Sequence, residues 1–121
     1  MSTILISINP EHVEKIMLGI KKCEFRTRKP NRVVDKMVIY ETSPTKRVVA
    51  ECILEEVLTL PKEELWNRVK NISGTTKARF DNYFKKQEYA TGFIIKEVKR
   101  CNKELIDYGI KFVPQSYIYL D

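Results

Sequence analysis

Gly19-Ile20-Lys21-Lys22-Cys23-Glu24-Phe25-Arg26 is the stretch on which the reading of this chain turns. Two periodicities meet there. Before it, Val13, Ile16, Met17 and Ile20 fall at i, i+3, i+4 and i+7, one apolar helical stripe. Within it, Cys23 and Phe25 share one side of an extended segment and Glu24 and Arg26 the other. Gly19 sits at the changeover, where a helix stop belongs. This predicts a helix over 10–18, with Asn9 as N-cap, Pro10 at the first helical position and Glu11 in the first turn. A strand over 23–27 follows, with an apolar inner side and a charged outer side.

Outward from this stretch the pattern extends in both directions. Thr3 to Ile8 reads as a short apolar strand and Arg28 to Asp35 as a polar loop. Met37 to Tyr40 is apolar on both faces, a central strand. After the turn residues Thr42 to Thr45, Arg47 to Thr59 forms a strand long enough to bend or bulge. Pro61 opens a second helix, and a third runs over 76–85. Phe80, Tyr83 and Phe84 in that third helix read as packing residues. Tyr89 to Cys101 is a strand, 102–112 is irregular or one helical turn, and Tyr117 to Leu120 is a last strand. The order β-α-β-β-β-α-α-β-β predicts an α+β fold. Its core is a mostly antiparallel β-barrel of five to six strands decorated by about three helices. At 121 residues it reads as a single domain, 1–121.

Composition excludes several classes. No apolar run approaches the ~20 residues that span a bilayer, so no membrane partner is expected. The start lacks a basic n-region and is interrupted by Ser7 and Asn9-Pro10, unlike a secretory signal. The three cysteines, Cys23, Cys52 and Cys101, are odd in number and widely spaced, which argues against a disulfide framework and for a reducing cytoplasm. A single histidine, His12, and no C-x-x-C leave no metal site and no cofactor to expect. His12, in a first helical turn, reads as a solvated surface residue.

The net charge is +6. Lys21, Lys22, Arg26, Arg28, Lys29, Arg32 and Lys36 face only Glu24 and Asp35, so seven minus two gives +5 in residues 21–36. One reading is a phosphate-binding patch, with salt-dependent affinity. Arg26 and Arg28 would then point to one side and grip successive phosphates through their planar forks. The other reading is a solvated basic loop.

The eight residues 19–26 spell G-x-K-x-x-E-x-R, which resembles the signature of the ASCH domains of the PUA-like superfamily. The stretch from Val38 to Ala50, the Glu64-Leu65-Trp66 helix, the aromatic third helix and Pro114-Gln115-Ser116-Tyr117 also resemble small microbial members. The resemblance implies a PUA-like barrel with a cleft beside the motif, and a partner that is RNA or a nucleotide-like ligand.

Under a binding reading, Lys21 supplies a point charge to phosphate, Arg26 and Arg28 make forked contacts, and Gly19 lets the backbone approach. Glu24 orients Arg26 or accepts from a base. Lys22, Lys29, Arg32, Ser43, Lys46 and Arg47 complete the basic cleft, and Tyr40 and Tyr117 are stacking candidates that also fit the core. A second reading is a hydrolase. Some bacterial ASCH proteins are amidohydrolases of acetylated cytidine that use a Lys, a Thr and a Glu. Lys21 matches the Lys, Glu24 stands where the Thr belongs, and the distal Glu falls to Glu63 or Glu64, less well to Glu55 or Glu56. Lys21 and Glu24 would be its catalytic pair. A third reading is a protein-interaction domain in transcription regulation, using Trp66, Phe80, Tyr83 and Phe84. The surroundings of Lys21 discriminate. A deep pocket with Glu24 in contact favours catalysis or a mononucleotide, and an open groove running to Arg32 and Lys46 favours a polymer.

Overall fold

The computed structural model describes residues 1–121. The elements follow the expected order: β1 (Ser2–Ile8), α1 (Pro10–Met17), β2 (Cys23–Arg26), β3 (Val34–Glu41), β4 (Arg47–Pro61), α2 (Lys62–Val69), α3 (Lys77–Tyr83), β5 (Tyr89–Lys103) and β6 (Tyr117–Tyr119). Short 3-10 turns cover Lys70–Ile72 and Leu105–Tyr108. One six-stranded sheet carries the strands in the order β2-β5-β4-β3-β1-β6. It is a mixed sheet curled into a half-barrel. Only the β1–β3 pairing is parallel. β4 breaks register with β5 at three places, as its length predicts. β3 begins earlier than the polar loop reading allowed. Val34 is buried and pairs with Ser2, so one apolar residue beyond the charges of 28–33 is enough to start the ladder.

Alternation along the strands sorts the apolar residues into separate packing layers. Ile4, Ile6, Met37, Ile39, Ala50, Cys52, Phe93 and Ile95 fill the concave side, with Val13 and Ile16 of α1 closing over them. Outside β2 and β5, Cys23, Phe25, Ala90 and Ile94 pack under α2 and α3 through Leu65, Val69, Phe80 and Phe84. Trp66 is half-buried against this second cluster. A smaller layer, Leu5, Val38, Tyr40 and Val48, lies under the 105–120 segment. Tyr40 and Tyr117 are core residues. No helix is long and apolar enough to cross a membrane.

The sheet's two edges, β2 and β6, are joined by side chains rather than by a strand ladder. Arg26 Nε donates to Ser116 Oγ at 3.1 Å, and its Nη2 donates to the Ser7 carbonyl at 2.6 Å. Arg28 donates to the Tyr117 carbonyl and stacks on the Tyr117 ring, 3.9 Å from its centroid. The Tyr117 hydroxyl returns a bond to the Arg28 carbonyl at 3.0 Å. The candidate site lies where these edges approach.

Candidate functional site

The turn after α1 decides where Lys21 goes. Gly19 adopts φ 77°, a left-handed conformation that favours glycine. Its N–H donates to the Ile16 carbonyl at 3.1 Å and the Ile20 N–H to the Lys15 carbonyl at 3.0 Å, a Schellman stop. Nothing lies within 4 Å of where a Gly19 Cβ would be, so within the protein it is the turn, not packing, that calls for glycine here. The reversed chain drives Lys21 inward until it is 2% exposed. Its Nζ donates to the Ser73 carbonyl at 2.8 Å and lies 3.5 Å from Glu24 Oε1. The Phe25 ring lies beneath it, its centroid 5.0 Å away. Gly74 makes room for the stem: a Cβ there would sit 2.5 Å from Lys21 Cβ.

Glu24 and Arg26 are not on an outer face. Glu24 pairs with Phe93 across β5, so it shares the concave side of the sheet with that core residue. It is 4% exposed. Alternation assigned Glu24 and Arg26 to one side correctly, but both sides of β2 are covered: one by α2 and α3, the other by the curl toward β6. Arg26 Nη1 is bonded to Glu24 Oε2 and to the Phe25 carbonyl. The carboxylate therefore lies between two cations, one on each oxygen, and the cluster carries one net positive charge.

These three side chains line a cleft of about 710 Å³. Ser7, Asn9 and His12 add polar groups from β1 and α1, Ser116 from the segment before β6, and Thr75, Arg79, Asn82 and Tyr83 a further wall from α3 and its lead-in. Sequence reasoning missed these. His12 is half-buried, and its Nδ1 is fully buried without a partner, so it is no solvated surface residue. The helix start that places it in the first turn of α1 also aims it at the motif. Tyr83, read as packing, is 49% exposed, while Phe80 and Phe84 behind it are core. Burial pushes the Lys21 ammonium below its ordinary value, with Glu24 opposing. Burial likewise lowers His12 and raises Tyr83.

Of the residues singled out in the sequence, the fold brings together Lys21, Glu24 and Arg26. Gly19, Lys22, Arg28, Lys29, Arg32, Ser43, Lys46 and Arg47 do not line this cleft. Lys29 and Arg32 border a separate depression with Glu55 and Glu56, and Arg32 lies over the Tyr119 ring. Arg47 is tied to Asn102 and Glu104. Glu63 is paired with Lys77 outside the cleft, so Glu24 is the one carboxylate lining it. No group of three His, Cys, Asp or Glu side chains is placed to hold a metal ion.

Comparison with known proteins matches residues 6–103 to the ASCH domain family model. The "ASCH domain-containing ribonuclease" of Zymomonas mobilis is 31% identical over 94 residues, covering 77% of this chain and 64% of that protein. The crystal structure of ASCH from Zymomonas mobilis superposes with a TM-score of 0.86 at 28% identity, covering 98% of this chain and 87% of that one. The large ribosomal subunit protein uL22 of Ureaplasma parvum is 28% identical over 98% of this chain, which spans only 39% of that protein's length.

Proposed function

This chain belongs to the ASCH domain family, and from that premise we propose that its cleft holds one nucleotide of an RNA strand and acts on the adjoining phosphodiester. The observation that carries the reading is the Lys21–Glu24–Arg26 cluster, in which Lys21 and Glu24 are buried and Arg26 is partly buried. A net positive charge held out of water attracts a phosphate more strongly than a solvated one does. Donor accounting supports it. Arg26 has five N–H groups and uses four, on Ser116, Glu24, Phe25 and Ser7. Lys21 has three, gives one to the Ser73 carbonyl and turns a second toward Glu24 in an ion pair at 3.5 Å. Each keeps one donor for a ligand. Arg26, always protonated and rigidly held, suits the non-bridging oxygens as charge builds on them. As the strand's own 2′ hydroxyl attacks the phosphorus, losing its proton to water and forming a cyclic phosphate, the 5′ oxygen leaves. Lys21, its affinity for protons lowered by burial, suits proton delivery to that leaving oxygen. The name of the Zymomonas relative points the same way.

Short single-stranded RNA, labelled at one end, tests this. The wild-type protein is expected to bind and cleave it, more weakly at high salt. Lys21→Ala is expected to lower the rate by about 100-fold or more, with Lys21→Arg restoring binding but not cleavage. Absence of both binding and cleavage at low salt removes the reading.

The enclosed position of Lys21, in contact with Glu24 and away from Arg32 and Lys46, also favours a small-substrate hydrolase over a long polymer groove. In that reading Lys21 and Glu24 act on the acyl group of an acetylated cytidine, with Thr75 the nearby cleft hydroxyl. Acetate release from that nucleoside, lost in Lys21→Ala, distinguishes the two activities.

A further inference from the structure

The two walls of the cleft differ in chemistry. The wall built by β1, β2 and the β6 edge carries the charge. The opposite wall is one face of α3 and its lead-in: Thr75, Ala78, Arg79, Asn82 and Tyr83 fall at i, i+3, i+4, i+7 and i+8 and all line the cleft. The neighbouring charges on α3 are already committed. Arg79 is held by Glu11 of α1 at 2.5 Å, and Lys77 by Asp81 at 2.7 Å and Glu63 at 3.0 Å. That leaves Ala78, Asn82 and Tyr83 facing the opening, each exposed. The Tyr83 ring is braced edge-on by Phe84, with centroids 4.8 Å apart, so its position is fixed by core packing while half its surface stays open.

We infer that this face of α3 is a base-binding subsite, in which a nucleobase stacks on Tyr83 over the small Ala78 and is read by the Asn82 amide. Three observations support it together: a braced aromatic face, a gap left by a methyl side chain, and an amide that can donate and accept at once. Stacking on an aromatic side chain is tolerant of sequence, whereas a single amide selects among base edges. The substrate class is therefore a nucleobase carrying an adjoining phosphate, not a bare phosphate or a sugar phosphate. This rests on the RNA reading of the same cleft and adds a recognition element to it.

The test uses a four-nucleotide RNA and its abasic counterpart, binding followed by fluorescence anisotropy. Tyr83→Ala is expected to weaken RNA binding by about 10-fold to 100-fold while leaving the abasic strand unchanged. Tyr83→Phe should keep wild-type affinity, because the ring and not the hydroxyl does the stacking. Asn82→Asp should reorder preference among the four homopolymers by about 10-fold. Equal loss on both strands, or none on either, overturns the inference, provided Lys21→Ala still weakens both. If the wild-type protein binds neither strand, the RNA reading itself falls and takes this subsite with it. Circular dichroism checks that the half-exposed Tyr83 can be removed without unfolding.

Discussion

Residues 21–26 and residues 28–36 form one continuous basic run in the sequence, and the fold treats its halves in opposite ways. Lys21 and Arg26 are drawn inward around Glu24 and bonded to Ser73, Ser7 and Ser116. Arg28 and Arg32 lie on the rings of Tyr117 and Tyr119, and Lys29 and Lys36 are exposed. The difference teaches that charge density along a chain does not locate a site. Burial lowers the proton affinity of Lys21 and holds it against Glu24, which sequence-local charge density does not show. Arg28 and Arg32 are instead stacked on tyrosines of their own chain.

The sharpest way to break this contrast is to remove one charge from each half. Glu24→Gln leaves the buried Lys21 and the partly buried Arg26 without their shared anion, and should cost about 3 kcal/mol or more. Arg32→Ala, at an exposed pair with Asp121, should stay within about 0.5 kcal/mol. Urea midpoints of the two variants decide it; equal shifts would dissolve the distinction.

A smaller effect separates two glycines. Gly19 and Gly74 both have positive φ, so alanine strains each by about 1 kcal/mol. Only at Gly74 does the new Cβ also strike Lys21. Gly74→Ala should therefore lower activity about tenfold as well as stability, whereas Gly19→Ala should lower stability alone. Turnover measured beside thermal midpoints shows whether the two effects part.

The smallest effect is a pH dependence. Folding lowers the His12 pKa below its ordinary 6.5 through burial. As pH falls below 6.5 the unfolded chain takes up that proton first, so stability declines until the folded-state pKa is passed. Lys21 behaves alike at the alkaline end: its pKa is lowered from 10.5, so stability rises with pH toward that value. His12→Gln should flatten the acid slope and leave the alkaline one; denaturation midpoints between pH 5 and 7 read it directly.

Much of the fold was legible because it rests on local rules. The Asn9-Pro10 start, the Gly19 stop and the 2-residue alternation of the strands all act over a few neighbours, and the element order came out as expected. The early start of β3 was not legible, since Val34 finds its ladder partner in Ser2, thirty-two residues away. The site was legible only in part. The motif named Lys21, Glu24 and Arg26, but Asn82 and Tyr83 come from a helix whose spacing looked like core packing. Thr75, Ser116 and His12 join them only through the curl of the sheet.

The sequence by itself determined which residues share a side, where helices stop, and that a lysine, a glutamate and an arginine stand at fixed spacing. Tertiary structure alone decided that the charged side of β2 faces inward, because sidedness is a local property and burial is not. Alternation places Glu24 opposite Phe25 whatever covers either one. The return of β6 beside β2, held by Arg26 and Arg28, and the wall of α3 opposite it together enclose the cleft and take those charges out of water.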